Sequence, residues 1–188
     1  MKYIYLDHAA TSPLRPEARD AMEPFGDVLY ANPSGSHKFA RDARRAVDEA
    51  RDMVAAAIGC KPGEVIFTSG GTEGANSAIL GTVRRRGGQA VCTASEHHAV
   101  LHCVEHVHGV VVPITPEGPV DPTVVRQVLA DTDKVSVVSV MAVNNETGAI
   151  NDIEQVSHAV RGRAEGAVLH TDAVQAACWI DLRTVWPH

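Results

Sequence analysis

Apolar positions recur along this chain with two different periods, and the switches between them divide it into elements. Over 38–58, Phe39, Ala43, Ala46, Val47, Ala50, Val54, Ala57 and Ile58 share one face of a 3.6-residue period, with Arg, Asp and Glu opposite. That pattern predicts a long amphipathic helix, and Gly59 is placed to end it. Shorter helices are expected over 16–24, 98–106, 123–130 and 152–161. Between them lie apolar, β-branched runs at 64–68, 90–94, 110–114, 134–143 and 167–169, and Tyr3-Ile4-Tyr5-Leu6 is strand-like. Strands that are apolar throughout are buried on both faces. Alternating with helices, they predict an α/β fold built on a mainly parallel sheet flanked by helices. The chain shows no internal repeat, low-complexity tract or linker.

The polar residues that interrupt this pattern fall mainly in one class of position. The clusters 69–76, 95–98, 144–148 and 170–175 each follow the C-terminal end of an expected strand, so a parallel sheet brings all four to one rim, where such sheets bind ligands. In Ser69-Gly70-Gly71-Thr72-Glu73-Gly74 a strand runs into a glycine-rich turn that opens a helix. Free N–H groups and the positive dipole end make such a turn a phosphate cradle, while a tight strand-to-helix turn needs glycine for steric reasons alone. A cradle, a flat histidine able to stack, an Asp at a strand end and nearby amides suit a phosphorylated aromatic heterocycle. In pyridoxal 5'-phosphate (PLP), an Asp beside the pyridine nitrogen keeps it protonated. That assigns Asp172 to the ring nitrogen and Gln175, three residues on, to a ring substituent.

Composition narrows the partners. A formal net charge of -6 leaves no electrostatic footprint for nucleic acid, and the run Arg84-Arg85-Arg86 reads as a solvated helix end. No apolar stretch approaches the roughly 20 residues of a membrane span, so a cytoplasmic protein is expected. The four cysteines lack CxxC spacing and indicate neither a disulfide framework nor a zinc knuckle; Cys178 reads as a core or strand-end thiol. His98, His102, Glu105 and His106 form one helical stripe with ligand chemistry, but a polar helix face has the same pattern, and no metal is expected.

The ordered motifs LDHAATSP, NPSGSH, FTSGGTEGAN, SEHHAV, NNETG and HTDAVQ closely resemble the N-terminal half of the cysteine desulfurases, the NifS-like group of fold-type I, class V PLP-dependent enzymes. The resemblance runs from Tyr3 to about Gln175 and implies a PLP-dependent transferase-like large domain over 16–188, incomplete, preceded by an N-terminal segment over 1–15 that joins the small domain or a site loop. It implies that Gly71 and Thr72 hold the cofactor phosphate, that His97 is catalytic and stacks on the pyridine ring, that Asp172 pairs with the ring nitrogen and that Gln175 bonds the phenolic oxygen. Asn145 and His8 would contribute to substrate binding, with 32–37 lining this site or a neighbouring subunit's. Members of the family are homodimers that convert L-cysteine to L-alanine and pass the sulfur as a persulfide to an acceptor protein, in iron–sulfur cluster assembly among other pathways.

The departures from the family shape the expectation as much. Its members are about twice as long, with the PLP-binding lysine, the sulfur-accepting cysteine and the carboxylate-binding arginine beyond the HxDAxQ motif. Here the lysines are Lys2, Lys38, Lys61 and Lys134, all before Asp172. Lys134 is expected on the opposite rim of the sheet. The chain is therefore expected to act as part of a split enzyme, with a complementing chain supplying the C-terminal half, or to be inactive alone and bind PLP noncovalently. The alternative is a non-catalytic PLP-binding or regulatory subunit, followed by a related class V aminotransferase or selenocysteine lyase fragment.

Overall fold

Four of the expected strands pair, all in parallel, and they set the frame for the rest. The computed structural model describes residues 3–115 and 118–185, and the chain divides into two compact units with the boundary between Ile66 and Phe67.

The first unit contains helices α1 (Pro16–Met22), α2 (Pro24–Asp27) and α3 (Lys38–Ile58). The helix expected over 16–24 breaks after Met22 because Pro24 has no N–H to donate to the preceding turn. At α3, the His37 imidazole accepts from Ala40 N–H at 3.2 Å, and Gly59 ends the helix with a left-handed φ of 80°. Ala40, Ala43 and Ala55 are the buried residues of α3, whereas Phe39 is 64% exposed. Small side chains face the neighbouring loop, where a Cβ on Gly35 would lie 2.9 Å from that of Ala40. Arg44 and Arg51 tie α3 to the carbonyls of Pro33 and Val65.

Two expected strands are absent here. Residues 3–6 and 65–68 form no strand, and Pro62–Glu64 forms a single 3-10 turn. Val65 has extended backbone angles, but Ile66 is 82% exposed. An apolar β-branched run favours extended backbone, yet a strand also needs a neighbour for its N–H and C=O groups.

The second unit is the sheet and its helices: α4 (Gly71–Arg86), β1 (Gln89–Thr93), α5 (His98–His106), β2 (Val110–Val112), α6 (Pro122–Ala130), β3 (Val135–Ser139), α7 (Ile153–Arg161) and β4 (Val168–His170). The order is β2-β1-β3-β4. The chain moves outward from β1 to β2, then returns to place β3 on the other side of β1, so the β1/β3 boundary is a topological switch point.

Side-chain alternation fixes what each face carries. Ala90, Cys92 and Val137 bury against α4 and α5 with Ala75, Ile79, Val100 and Val104. Val91, Val138 and Val140 bury on the opposite face with Val125, Leu129, Val156 and Val160 of α6 and α7. Gly109 makes the turn from α5 into β2 possible, since a Cβ there would stand 2.3 Å from Ala90 O and 2.6 Å from a Val104 methyl. Among the described residues no helix is long and apolar enough to cross a membrane.

Candidate functional site

The stretch after β4 keeps strand geometry for two more residues before turning. Val140 N–H donates to His170 O at 3.1 Å and Ala142 N–H to Asp172 O at 2.9 Å, so the β3–β4 ladder continues past the named strands. By the two-residue period, His170 and Asp172 belong with Val168 on the α4/α5 face. The Asp172 Oδ1 accepts from Val174 N–H at 3.0 Å, which bends the chain into the turn carrying Gln175. One carboxylate oxygen thus holds the turn.

Helix α4 is laid against this strand end to end. Its last arginine, Arg86, donates to Gly166 O at 2.6 Å near the start of β4. At its other end, a Cβ on Gly71 would sit 3.7 Å from a Val174 methyl, beyond the exit of β4. The N-terminus of α4 therefore reaches the rim where Asp172 stands. Gly70, the N-cap residue, provides no side-chain cap, and a Cβ added there would have no neighbour within 4 Å. The glycine is demanded neither by a packed atom nor by backbone angle, since its φ of 165° is extended. Glu73 turns back to accept from both the N–H and the hydroxyl of Ser69, at 2.6 and 2.7 Å, which holds its carboxyl below the usual range.

His97 is the N-cap of α5. Its Nδ1 accepts from Ala99 N–H at 3.1 Å, which leaves the ring proton on Nε2 and fixes the exposed ring. His97 and Thr72 line one open groove of about 530 Å³ with Asn76, His98 and His102. The His98 and His102 rings stack at 5.1 Å. Among the described residues no group of three or more His, Cys, Asp or Glu is arranged to hold a metal ion.

Asn145 and Gln175 line a second groove, of about 310 Å³, with Ile150 and the exposed Trp179. The turn before Gly148 is held by the neighbouring residue rather than by Asn145. Asn144 is buried, its Oδ1 accepts from Glu146 and Thr147 N–H at 2.9 Å each, and its Nδ2 donates to Ser95 O at 2.9 Å. His8 lies in the first unit, where its ring meets Tyr5 edge-on at 5.2 Å.

The donor set fits PLP. It offers an uncapped helix N-terminus with open space in front of Gly70, a hydroxyl at Thr72, a fixed flat imidazole, a carboxylate and two side-chain amides. Lys134 precedes β3 on the opposite rim, where its carbonyl accepts from Gln89 N–H at 2.8 Å, and Lys38 is paired with Asp42 at 2.6 Å in the first unit. Burial pushes the Cys92 thiol up to about 12, with Glu96 and Glu105 adding to the effect, and burial also raises Cys103, so neither is a ready thiolate. Cys178, expected as a core or strand-end thiol, is exposed.

Three residues not singled out from sequence hold the rim together. Glu96, Ser139 and Asn151 are buried polar side chains; Asn151 bridges Val120 N–H and Met141 O at 2.7 Å each. Burial lifts the Glu96 carboxyl to about 7, against hydrogen bonds from Met141, Ser139 and Thr93 that pull it down, while Asp172 adds to the rise.

An aminotransferase class-V family model matches residues 4–183. The "putative cysteine desulfurase IscS 1" of Bacillus subtilis is 44% identical over 184 residues, covering 94% of this chain and 48% of the relative. The "IscS-like cysteine desulfurase" of Mycobacterium tuberculosis is 41% identical over 187 residues, covering 92% and 46%. Among solved structures, a "NifS-like protein" superposes with a TM-score of 0.86 at 30% identity over 97% of this chain and 52% of its own. A structure titled "SspA in complex with cysteine" gives 0.85, again at 30% identity, over 95% and 52%. The chain spans about half the length of the curated relatives it matches.

Proposed function

The chain belongs to the aminotransferase class-V family, and from that premise we propose that it forms the phosphate-, ring- and nitrogen-binding wall of a PLP-dependent cysteine desulfurase. The observation that carries this is the meeting of the α4 N-terminus with the exit of β4, at Gly71 and Val174, on the face that also carries α5 and His97.

In this reading Gly71 and Thr72 donate their N–H groups and a hydroxyl to the cofactor phosphate. His97 covers one face of the ring, Asp172 holds a proton at the ring nitrogen, and Gln175 donates to the phenolic oxygen. When bound, PLP supplies an electron sink for bonds at the substrate's α carbon. Asn145 donates to the carboxylate of L-cysteine, with His8 as a further substrate contact. The product is L-alanine, and the sulfur leaves as a persulfide for an acceptor protein. The covalent lysine anchor, the sulfur-accepting cysteine and the carboxylate-binding arginine are assigned to polypeptide outside residues 1–188, in the same or a complementing chain. A homodimer in the cytoplasm, with residues 1–15 reaching a small domain or a site loop, completes the proposal. A second reading, a noncovalent PLP-binding subunit, is favoured by the position of Lys134 on the rim away from Asp172.

The test is titration of the 188-residue chain with PLP, followed by absorbance, with cysteine-dependent sulfide release measured in parallel. Saturable binding weakened by Thr72→Ala supports the wall. Absence of saturable binding refutes it, and sulfide release by this chain alone refutes the assignment of the lysine to other polypeptide.

A further inference from the structure

Behind Asp172 runs a polar chain that the cofactor contacts leave unused. Glu96 is 6% exposed. Its Oε1 accepts from Met141 N–H at 2.6 Å and from the Thr93 hydroxyl at 3.2 Å. Its Oε2 lies 3.2 Å from Ser139 Oγ, and Ser139 Oγ lies 2.8 Å from His170 Nδ1. One side chain from the loop that carries His97 thus reaches β3 and, through it, the strand that carries Asp172.

Among the described residues, the charged neighbour that acts on Glu96 is Asp172. Asp172 from β4 disfavours a second negative charge at Glu96, Cys92 from β1 is held as a thiol, and burial holds His170 below the usual histidine range. His97, next in sequence, is turned onto Ala99 N–H. A hydroxyl between a carboxyl and an imidazole can donate in only one direction at a time. With Glu96 ionised, Ser139 must donate to Oε2, so His170 must donate from Nδ1. With Glu96 protonated at Oε2, that proton points at Ser139 Oγ, the Ser139 hydroxyl turns to His170, and Nδ1 becomes the acceptor.

We propose that Glu96, Ser139 and His170 form a proton relay behind Asp172, in which Glu96 is a positioning residue that sets the tautomer of His170. A proton added at His170 Nε2 moves the Nδ1 proton onto Ser139 and the Ser139 proton onto Glu96. The network gains one proton, the imidazole stays neutral, and the negative charge next to Asp172 is removed. Asp172 then faces no second negative charge from this network. The bearing on PLP rests on the role of Asp172 proposed above; the relay itself does not.

The test uses the uniformly 15N-labelled 188-residue chain without cofactor, with the His170 resonances assigned by their loss in His170→Asn. Histidine 15N shifts distinguish the two neutral tautomers. The relay predicts Nε2–H at low pH and Nδ1–H at high pH, with the change centred at about 7. In Glu96→Gln the amide donates to Ser139 while its oxygen keeps Met141 N–H, so His170 is expected to stay Nε2–H throughout. Ser139→Ala breaks both links and is expected to abolish the step independently. A wild-type tautomer that does not change between about pH 5 and 9, or a Glu96→Gln or Ser139→Ala variant that switches as the wild type does, overturns the proposal. Addition of PLP then reads the cofactor reading separately, because a tautomer step without PLP binding keeps the relay and removes the wall.

Discussion

Replacing Glu96 by Gln is expected to stabilise the chain at alkaline pH and to leave it nearly unchanged in mild acid. The carboxyl is buried and lifted from an ordinary 4.5 to about 7. Between those values the folded state binds a proton that the unfolded state does not, so stability falls as pH rises. The stabilising share of the protonated carboxyl is complete below about 4.5 and gone above about 7. At about 1.4 kcal/mol per pH unit, the full excursion is about 3 kcal/mol. Gln keeps the acceptor for Met141 N–H, offers a donor to Ser139 and carries no charge at any pH.

Urea unfolding followed by circular dichroism at intervals from about pH 5 to 8.5 reads this directly, and only the difference between the two proteins matters. His170 runs the other way. Its depressed folded value contributes stability present above the ordinary 6.5 and lost as pH falls. Asp152, held low first by its bond from Gln155 N–H, likewise contributes stability that acid removes. Asp152 lies outside the network and cancels in the subtraction, so the difference reads the linked Glu96–Ser139–His170 group. With a urea slope of about 2 kcal/mol/M, the variant's midpoint should lie above the wild type's by about 1 to 2 M at the alkaline end. Two curves that stay parallel across the range would show that Glu96 is ionised at neutral pH without cost, and the reasoning from its burial would fail.

Three further substitutions probe separate parts of the structure. Gly109→Ala forces a Cβ into Ala90 O and Val104, with an expected loss of about 1–3 kcal/mol, read as a lower thermal midpoint. Asn144→Ala leaves Ser95 O and the N–H groups of Glu146 and Thr147 without their partner; it should cost about 2 kcal/mol or more and speed hydrogen exchange at those two amides. Asp172→Asn should weaken PLP binding by about 10- to 100-fold, the worth of one charged hydrogen bond, in a fluorescence titration where Lys134→Ala, on the far rim, leaves the affinity unchanged.

The alternation of apolar runs and amphipathic helices was enough to predict the parallel sheet and the helices on both its faces. It failed at 64–68, where Val65 and Ile66 have strand composition but the stretch is not part of a strand. Pairing is a property of the neighbour, and the neighbour is not in the local sequence. The same distinction separates Asn144 from Asn145. Of these adjacent, chemically identical side chains, Asn144 is buried and spends its amide on the turn, while Asn145 is left to line the groove beside it. Composition identifies the pair, and only the fold assigns the two roles.

Glu96 was hidden for a more instructive reason. Thr93 and Glu96 have the spacing of a helix capping box, the ordinary explanation for an acidic residue just before a helix. The structure uses the spacing differently. Glu96 N–H donates to Thr93 O at 3.2 Å in a tight turn, and the carboxyl, instead of staying with α5, goes down between the strands to Met141 and Ser139. His97 takes over the cap with its own Nδ1. A solvated capping carboxylate would have stabilised one helix. Buried, the same group links the exit of β1 to β3 and, through Ser139, to His170. The residue proposed to cover the ligand is therefore one the sequence displays, while the residue that joins the strand exits is disguised as the ordinary start of a helix.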